Sequence, residues 1–373
     1  MTASDHAAST DDDTRRLEPA LTEQATRTLL TATPAASTVA VALHRRGRHA
    51  IVVRGRTAHH DGRPATASTR FEIGSLTKTF TALLLAEHAA RGILHLHDPL
   101  VRHLPTGTTL PPQGTAITLT HLATHTSGLP DNAPGLPHLV PLLLHPLTQT
   151  PAVPLLTAPY ARFTEDAALR VLSRARLRAR PGTRYHYSNY AVALLGHALA
   201  EAARTPYPAL AGTRLLRPLH LRDAYCGVPP APHGQATGHW RRRAQPPTHM
   251  PGLAASGSIR ASIRDMLTYL EALLDPASAE HAPASLRTAL HDVQQPRLRR
   301  PRSTTRLALI WNVRPRPDGS HVYYHTGGTF GFSSFAGFNP HHGTAVAALA
   351  NSSAARDNHL VQEAYNTLLS LHQ

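Results

Sequence analysis

Ser75 and Lys78 stand three residues apart in Phe71-Glu72-Ile73-Gly74-Ser75-Leu76-Thr77-Lys78-Thr79-Phe80, at the mouth of an apolar run from Leu76 to about Ala90 that Gly92 ends. Residues three apart share a helix face. The lysine amine therefore falls beside the serine hydroxyl, where the helix N-terminal dipole favours developing negative charge. A serine hydroxyl is a weak nucleophile until a neighbour takes its proton, and a lysine does so only if its pKa falls. Ser-x-x-Lys alone is a weak signal. It gains weight because Lys78 is the one lysine in a chain with 38 Lys+Arg. Arginine keeps its proton in proteins, whereas a desolvated lysine can lose it.

Two further stretches carry chemistry. In Pro181-Gly182-Thr183-Arg184-Tyr185-His186-Tyr187-Ser188-Asn189-Tyr190, a Tyr-x-Asn at a helix entrance sets a phenol and an amide on one rim. The phenol of Tyr187 can relay protons beside a cation, and the amide of Asn189 can hold a carbonyl. Taken alone, Asn189 reads rather as a helix cap and Tyr187 as packing. His325-Thr326-Gly327-Gly328 ends a strand candidate, where the glycines let a substrate approach the strand edge. Taken alone, it is also an ordinary glycine turn.

Ser-x-x-Lys, Tyr-x-Asn and His-Thr-Gly in this order resemble the serine β-lactamase and penicillin-binding-protein superfamily. The related motif set is Ser-x-x-Lys, Ser-Asp-Asn and Lys-Thr-Gly; the class C β-lactamase branch, with its esterases, D-aminopeptidases and transacylases, has Tyr-x-Asn in the middle. The likeness extends to Leu119–Pro130, whose Thr-His-Leu-Ala-Thr-His-Thr-Ser-Gly-Leu-Pro is similar to that branch's LLTHTSGLP, and to Pro181–Leu195, Leu215–Leu219 and Gly327–Pro340. It covers most of the chain from about residue 37 onward.

The resemblance implies that Ser75 is the nucleophile of an acyl-enzyme and that Lys78 and Tyr187 share general-base work as a coupled pair. It implies an oxyanion hole from the backbone N–H groups of Ser75 and Gly328, and Asn189 orienting the acyl side of the substrate. Thr326 and Gly327 belong to the same substrate-binding strand. Ser127, Asp98 and Glu72 are expected to be structural. One departure matters: His325 occupies the place of the lysine that helps to meet a substrate carboxylate, and a neutral imidazole is a poorer partner for it. The expectation is a serine hydrolase or transacylase acting on a small ester or amide. A β-lactamase or D-amino-acid peptidase acting on a lactam or amide is the alternative, and a non-catalytic binding protein of the same fold is a third.

The elements that must position these residues can be read around them. Val39, Val41 and Leu43 alternate within Ser37–Leu43, and His49–Arg54 follows Arg46-Gly47, which predicts a hairpin. Helices are expected from Thr164 (the cap) to about Arg178, from Asn189 to about Ala203, from about Ser262 to Leu274 and from Asp357 to Leu371. Strands are expected at Leu307–Val313, His321–His325, Phe332–Phe338 and Ala345–Ala350, with hairpin turns at Asp318-Gly319 and Pro340–Gly343. The fold class is α/β of the α+β type: a central antiparallel sheet built from both chain ends, flanked by helices, with a mostly helical insertion. Residues 1–22 read as a disordered tail, 23–100 and 251–373 as the sheet domain, and 101–250 as the helical domain.

Composition narrows the function classes. A hydrophobic content of 41% over 373 residues supports an ample core. The net charge of +15 and pI near 11 call for a test against nucleic-acid binding. The arginines are spread thinly, however, with short clusters at 241–243 and 297–302 and no recognised module. Cys226 is the sole cysteine, so no internal disulfide and no cysteine metal cluster is possible. The 27 histidines include the pairs His59-His60 and His341-His342 but no H-E-x-x-H, and read as composition bias. No cofactor, metal, nucleic-acid or membrane partner is expected. Met1–Arg16 lacks the pattern of a signal peptide, and the greasiest piece, Leu139–Leu147, is broken by Pro141 and Pro146. The expected location is cytoplasmic.

Overall fold

The computed structural model describes residues 16–137, 153–228, 234–240, 242–300, 303–354 and 358–371. Helix α1 (Pro19–Thr31) precedes a hairpin of β1 (Thr38–Arg45) and β2 (Arg48–Gly55). Its two-residue turn, Arg46-Gly47, has both residues at positive φ, the mirror-image turn whose twist suits a hairpin. Strand β3 (Arg70–Glu72) leads through a single 3-10 turn, Gly74–Leu76, into α2 (Thr77–Ala90). The middle of the chain contributes short helices, α3 (Asn189–Ala203) and the short strands β4 (Tyr225–Cys226), β5 (Gly238–Trp240) and β6 (Arg243–Gln245). Strand β7 (Ile259–Ser262) runs into α4 (Ile263–Leu274), followed by α5 (Ala284–Asp292). The C-terminal part supplies β8 (Leu298–Arg299), β9 (Arg306–Leu307), β10 (Asn312–Pro315), β11 (His321–Gly328), β12 (Ser333–Asn339), β13 (Thr344–Ala350) and α6 (Leu360–Ser370).

Eight strands form one antiparallel sheet in the order β2-β1-β13-β12-β11-β10-β9-β8. The N-terminal hairpin closes on the last strand, with Val39 opposite Ala350 and Arg45 opposite Thr344. Alternate residues of β1 serve different layers. Val39, Val41 and Leu43 pack with Leu29 of α1 and Leu360 and Leu368 of α6. Ala40 and Ala42 join the main core, with Met266 and Leu270 of α4 and Leu83 of α2. Each fully buried Leu or Val side chain contributes roughly 1.5–3 kcal/mol of transfer free energy. A second sheet has the order β3-β7-β4, and Ile73 N–H, just before the 3-10 turn, donates to Ile259 O of β7.

The expected sheet from both ends of the chain is present. The helix from Asn189 to Ala203 is present too, capped by Ser188 Oγ, which accepts from Ala191 N–H. Helix α4 has Ser262 as its cap, with Asp265 completing a capping box. Four local expectations need correction. The tail expected through residue 22 is helical from Pro19, because Ala25 and Leu29 have a partner layer in α6. The helix capped by Thr164 ends at Arg170, followed by one 3-10 turn. Beyond it the chain extends, and Arg178 N–H donates to Gly128 O at 2.7 Å. The strand expected at Leu307–Val313 is two short ones, split where Ile310 takes φ +66 and its N–H donates to Ala123 O. The last helix starts at Leu360, and Asp357 lies outside the described residues, as does Leu139–Leu147.

Candidate active site

Ser75 occupies the middle of the 3-10 turn rather than the first turn of α2 itself. Gly74 makes this possible: it has φ +52, and a Cβ there would sit 2.6 Å from the Gly328 backbone. A side chain on Gly327 would collide with Ile73 O and Ser334 Oγ, and Ser334 Oγ donates to Ile73 O at 2.8 Å. The Ser75 turn is thus seated on the end of β11, and glycine is required at both contact points.

Three side chains from separate elements meet at Ser75. Lys78 Nζ donates to Ser75 Oγ at 2.8 Å and to the Ser256 carbonyl at 2.7 Å. Tyr187 OH donates to Ser75 Oγ at 2.9 Å, and the amine lies 5.2 Å from the Tyr187 ring centre. Lys78 is fully buried. Burial lowers its pKa to about 7 against the opposing pull of the Asp131 carboxylate. Burial has the reverse effect on the phenol: the Tyr187 pKa is raised well above its ordinary value, with the hydrogen bond to Ser75 working in the other direction. Near neutrality the lysine therefore has a populated free base while the phenol keeps its proton.

His325 is buried, and burial first, then the Lys78 charge, lowers its pKa to about 3. Its Nδ1 is 2.8 Å from Thr326 O. A neutral ring with that contact has its proton on Nδ1 and a lone pair on Nε2. Where the resemblance would place a cation, this chain has an uncharged acceptor. Asn189 Nδ2 donates to Asp131 Oδ1 at 3.1 Å, so its amide is tied to a carboxylate beside the cleft.

Two clefts share Ser75, Tyr187 and Gly328. One, of about 250 Å³, is lined also by Asp131, Asn132, Asn189, Met250 and Phe330. The other, of about 430 Å³, is lined also by His125, Tyr185, Arg300, His325 and Thr326. All eight expected site residues line one or other of them except Lys78, which lies behind Ser75. Ser256, His125, Asp131 and Arg300 were not read from the sequence. Asp131 directly follows the Leu119–Pro130 segment, so its neighbourhood carried a usable signal. Ser256 acts through a backbone carbonyl, which no residue type marks.

The residues expected to be structural have such contacts. Asp98 accepts from His95 N–H, Arg102 and His103. Ser127 Oγ accepts from Leu129 N–H, and Glu72 pairs with Arg260 at 3.0 Å. Among the described residues, one trio has metal-ligand character: His44, His49 and Glu271. Gly47 N–H donates to His44 Nε2, which puts the ring's proton on Nδ1, the atom 3.0 Å from Glu271 Oε1. That nitrogen is a donor to the carboxylate and has no lone pair for a metal.

The sheet, the flanking helices and the serine–lysine–tyrosine cluster together define a serine hydrolase of the β-lactamase superfamily. The chain belongs to the Beta-lactamase family, which it matches over residues 24–367. It is 29% identical to the D-alanyl-D-alanine-carboxypeptidase/endopeptidase AmpH of Escherichia coli (strain K12) over 276 residues, 72% of this chain and 67% of that protein. It is 27% identical to a Beta-lactamase of Lysobacter lactamgenus over 324 residues, 79% of this chain and 77% of that one. The structure of D-alanine carboxypeptidase AmpC from Burkholderia cenocepacia has the same fold, with a TM-score of 0.76 at 23% identity over 94% of this chain and 99% of that one. No helix among the described residues is long and apolar enough to cross a membrane.

Proposed function

We propose that this protein hydrolyses or transfers the acyl group of a small ester or amide through an acyl-enzyme on Ser75. The observation that carries this reading is the placement of Ser75 Oγ within 2.8 Å of a buried Lys78 amine with a pKa near 7 and 2.9 Å of the Tyr187 phenol. Ser75 Oγ attacks the carbonyl carbon as its proton passes to the free-base amine of Lys78. The backbone N–H groups of Ser75 and Gly328 hold the oxyanion, a role worth roughly 3 kcal/mol per donor. As the tetrahedral intermediate collapses, Tyr187 gives its proton to the departing oxygen or nitrogen and regains one from the Lys78 ammonium. Water or an acceptor hydroxyl or amine then attacks the acyl carbon, with the same groups working in reverse. Asn189 orients the acyl side.

The neutral His325 favours this reading over one centred on carboxylate-bearing substrates, because it offers a lone pair where an anion needs a donor. The second reading, a β-lactamase or D-amino-acid peptidase, is supported by the names of the relatives. Intact-protein mass spectrometry after mixing with a short p-nitrophenyl ester, and separately with a penicillin, tests both. An adduct or turnover with the ester that vanishes in Ser75→Ala is the expected result. An adduct with penicillin alone favours the second reading. Silence toward both substrates removes the acyl-enzyme assignment.

A further inference from the structure

We propose that Asp131 is the recognition group for a positively charged amine on the acyl portion of the substrate, so that aminoacyl esters or amides are preferred over their uncharged counterparts. This rests on the acyl-enzyme reading above and names its substrate class.

Among the described residues, Asp131 is the only charged one lining the 250 Å³ cleft that Ser75 faces. Around it are Asn132, Tyr160, Thr248, Met250, Leu253 and Phe330, all uncharged. Asp131 is held in place by one side-chain and one backbone hydrogen bond. Its Oδ1 accepts from Asn189 Nδ2 at 3.1 Å, and its backbone carbonyl accepts from Tyr190 N–H at 3.1 Å, at the start of α3. Among the described residues no arginine, lysine or histidine forms an ion pair with it. The chain has 38 Lys+Arg against 23 Asp+Glu, and several of its acids, Glu72, Glu87, Asp98 and Glu271 among them, are paired with these or with histidines. A carboxylate that faces a cleft and pairs with no cation of its own is available to an incoming ammonium, which would make a charge-assisted hydrogen bond with it. An ammonium in this cleft would meet Asp131 directly and sit on the Asn189 side of the nucleophile.

Charge also couples this contact to the chemistry. The Asp131 carboxylate opposes the burial that lowers the Lys78 pKa. An ammonium that neutralises Asp131 removes that opposition, so a correct substrate increases the free-base fraction of the lysine that must take the Ser75 proton.

The test compares 4-nitrophenyl esters in pairs that exchange –NH3⁺ for –CH3: glycinate against propanoate, and 3-aminopropanoate against butanoate. Each kcat/KM is divided by the rate of the same ester with hydroxide. Wild type is expected to prefer the amino ester by about tenfold or more in at least one pair, the scale of a hydrogen bond to a charged group. Asp131→Asn, which still accepts from Asn189, is expected to bring that ratio close to one. A wild-type ratio near one in both pairs, or a preference that survives Asp131→Asn, overturns the proposal. An equal fall for both members of a pair also overturns it, leaving Asp131 as a positioning residue for Asn189. Inhibition of wild type supplies a readout without the variant: 3-aminopropanamide should outcompete butanamide by about tenfold. Equal inhibition counts against the proposal. Turnover of the uncharged esters without any amine preference removes this inference alone, whereas no Ser75-dependent turnover of any ester removes the parent reading.

Discussion

The imidazole of His125 lies against the phenol of Tyr187, ring centres 4.6 Å apart and planes 38° from parallel. His125 Nδ1 also accepts from Ser188 N–H at 3.2 Å, and its carbonyl accepts from His186 N–H at 2.7 Å. It does this from a left-handed backbone conformation, φ +55. Burial, then the nearby Lys78 charge, lowers its pKa well below the ordinary value, so it remains a neutral acceptor. One residue thus fixes both flanks of the tyrosine. His125→Ala is expected to lower kcat about tenfold with little change in KM. His125→Asn, which restores an acceptor for Ser188 N–H and tolerates positive φ, should recover part of the loss. Steady-state kinetics with a p-nitrophenyl ester checks both, and an increase confined to KM would count against a positioning role.

The base should declare itself in the pH profile. Lys78 must be deprotonated to accept the Ser75 proton, and its pKa is about 7. The kcat/KM of the free enzyme is therefore expected to rise with pH, with unit slope below about pH 7, and to level off above it. Lys78→Arg preserves the charge but forbids its loss. It should lower kcat by roughly 10²–10⁴-fold, the range of a lost general base. A profile flat from pH 5 to 9 would assign the base elsewhere.

Glu72 and Arg260 form a buried clamp close to the Ser75 turn. Arg260 donates to Glu72 at 3.0 Å and to Thr248 O at 2.7 Å, while Thr248 N–H donates to Glu72 at 2.7 Å. Glu72→Ala leaves a buried guanidinium without its counter-charge and is expected to cost about 3–5 kcal/mol in urea unfolding. The double change Glu72→Leu with Arg260→Met should be less damaging than Glu72→Ala. Because Thr248 lines the Asp131 cleft, the single variant should also weaken ester turnover at temperatures where it remains folded.

Glu271 bridges His44 and His49, 3.0 Å from each. Desolvation would raise its pKa, but the two histidine hydrogen bonds prevail and lower it to about 2. A depressed carboxyl pKa stabilises the fold above the unfolded-state value near 4.3 and loses that contribution as pH falls toward 2. The stability gap between wild type and Glu271→Gln should be about 1–2 kcal/mol at pH 6, the scale of hydrogen bonds to a charged group in a partly exposed pair. It should narrow as pH falls below about 4 and close near pH 2. Denaturant titrations across that window measure it.

What the sequence made legible was whatever depends on local spacing. Ser75 and Lys78 are neighbours on one helical face, and the alternation of Val39, Val41 and Leu43 names a strand wherever it is placed. Long-range partners were hidden. Lys78 completes its contacts with a carbonyl 178 residues away. Ile310 breaks a strand because its N–H finds Ala123 O, and α1 is ordered because α6 covers its apolar side. Asp131 carried no motif of its own, and its place in the Ser75 cleft as the one charged lining residue among the described residues is set by the folded arrangement.

The burial of Lys78 has a practical corollary. It is the single lysine of the chain and it is withdrawn from solvent, so the folded surface presents no side-chain amine. Reagents that label or crosslink lysines find nothing on that surface to modify. An activated acyl donor likewise meets no lysine there to acylate by accident. Amine-directed coupling to a bead or a dye would have to rely on the chain's α-amino group. Modification of Lys78 itself would report unfolding, turning this buried amine into a built-in indicator of loss of structure.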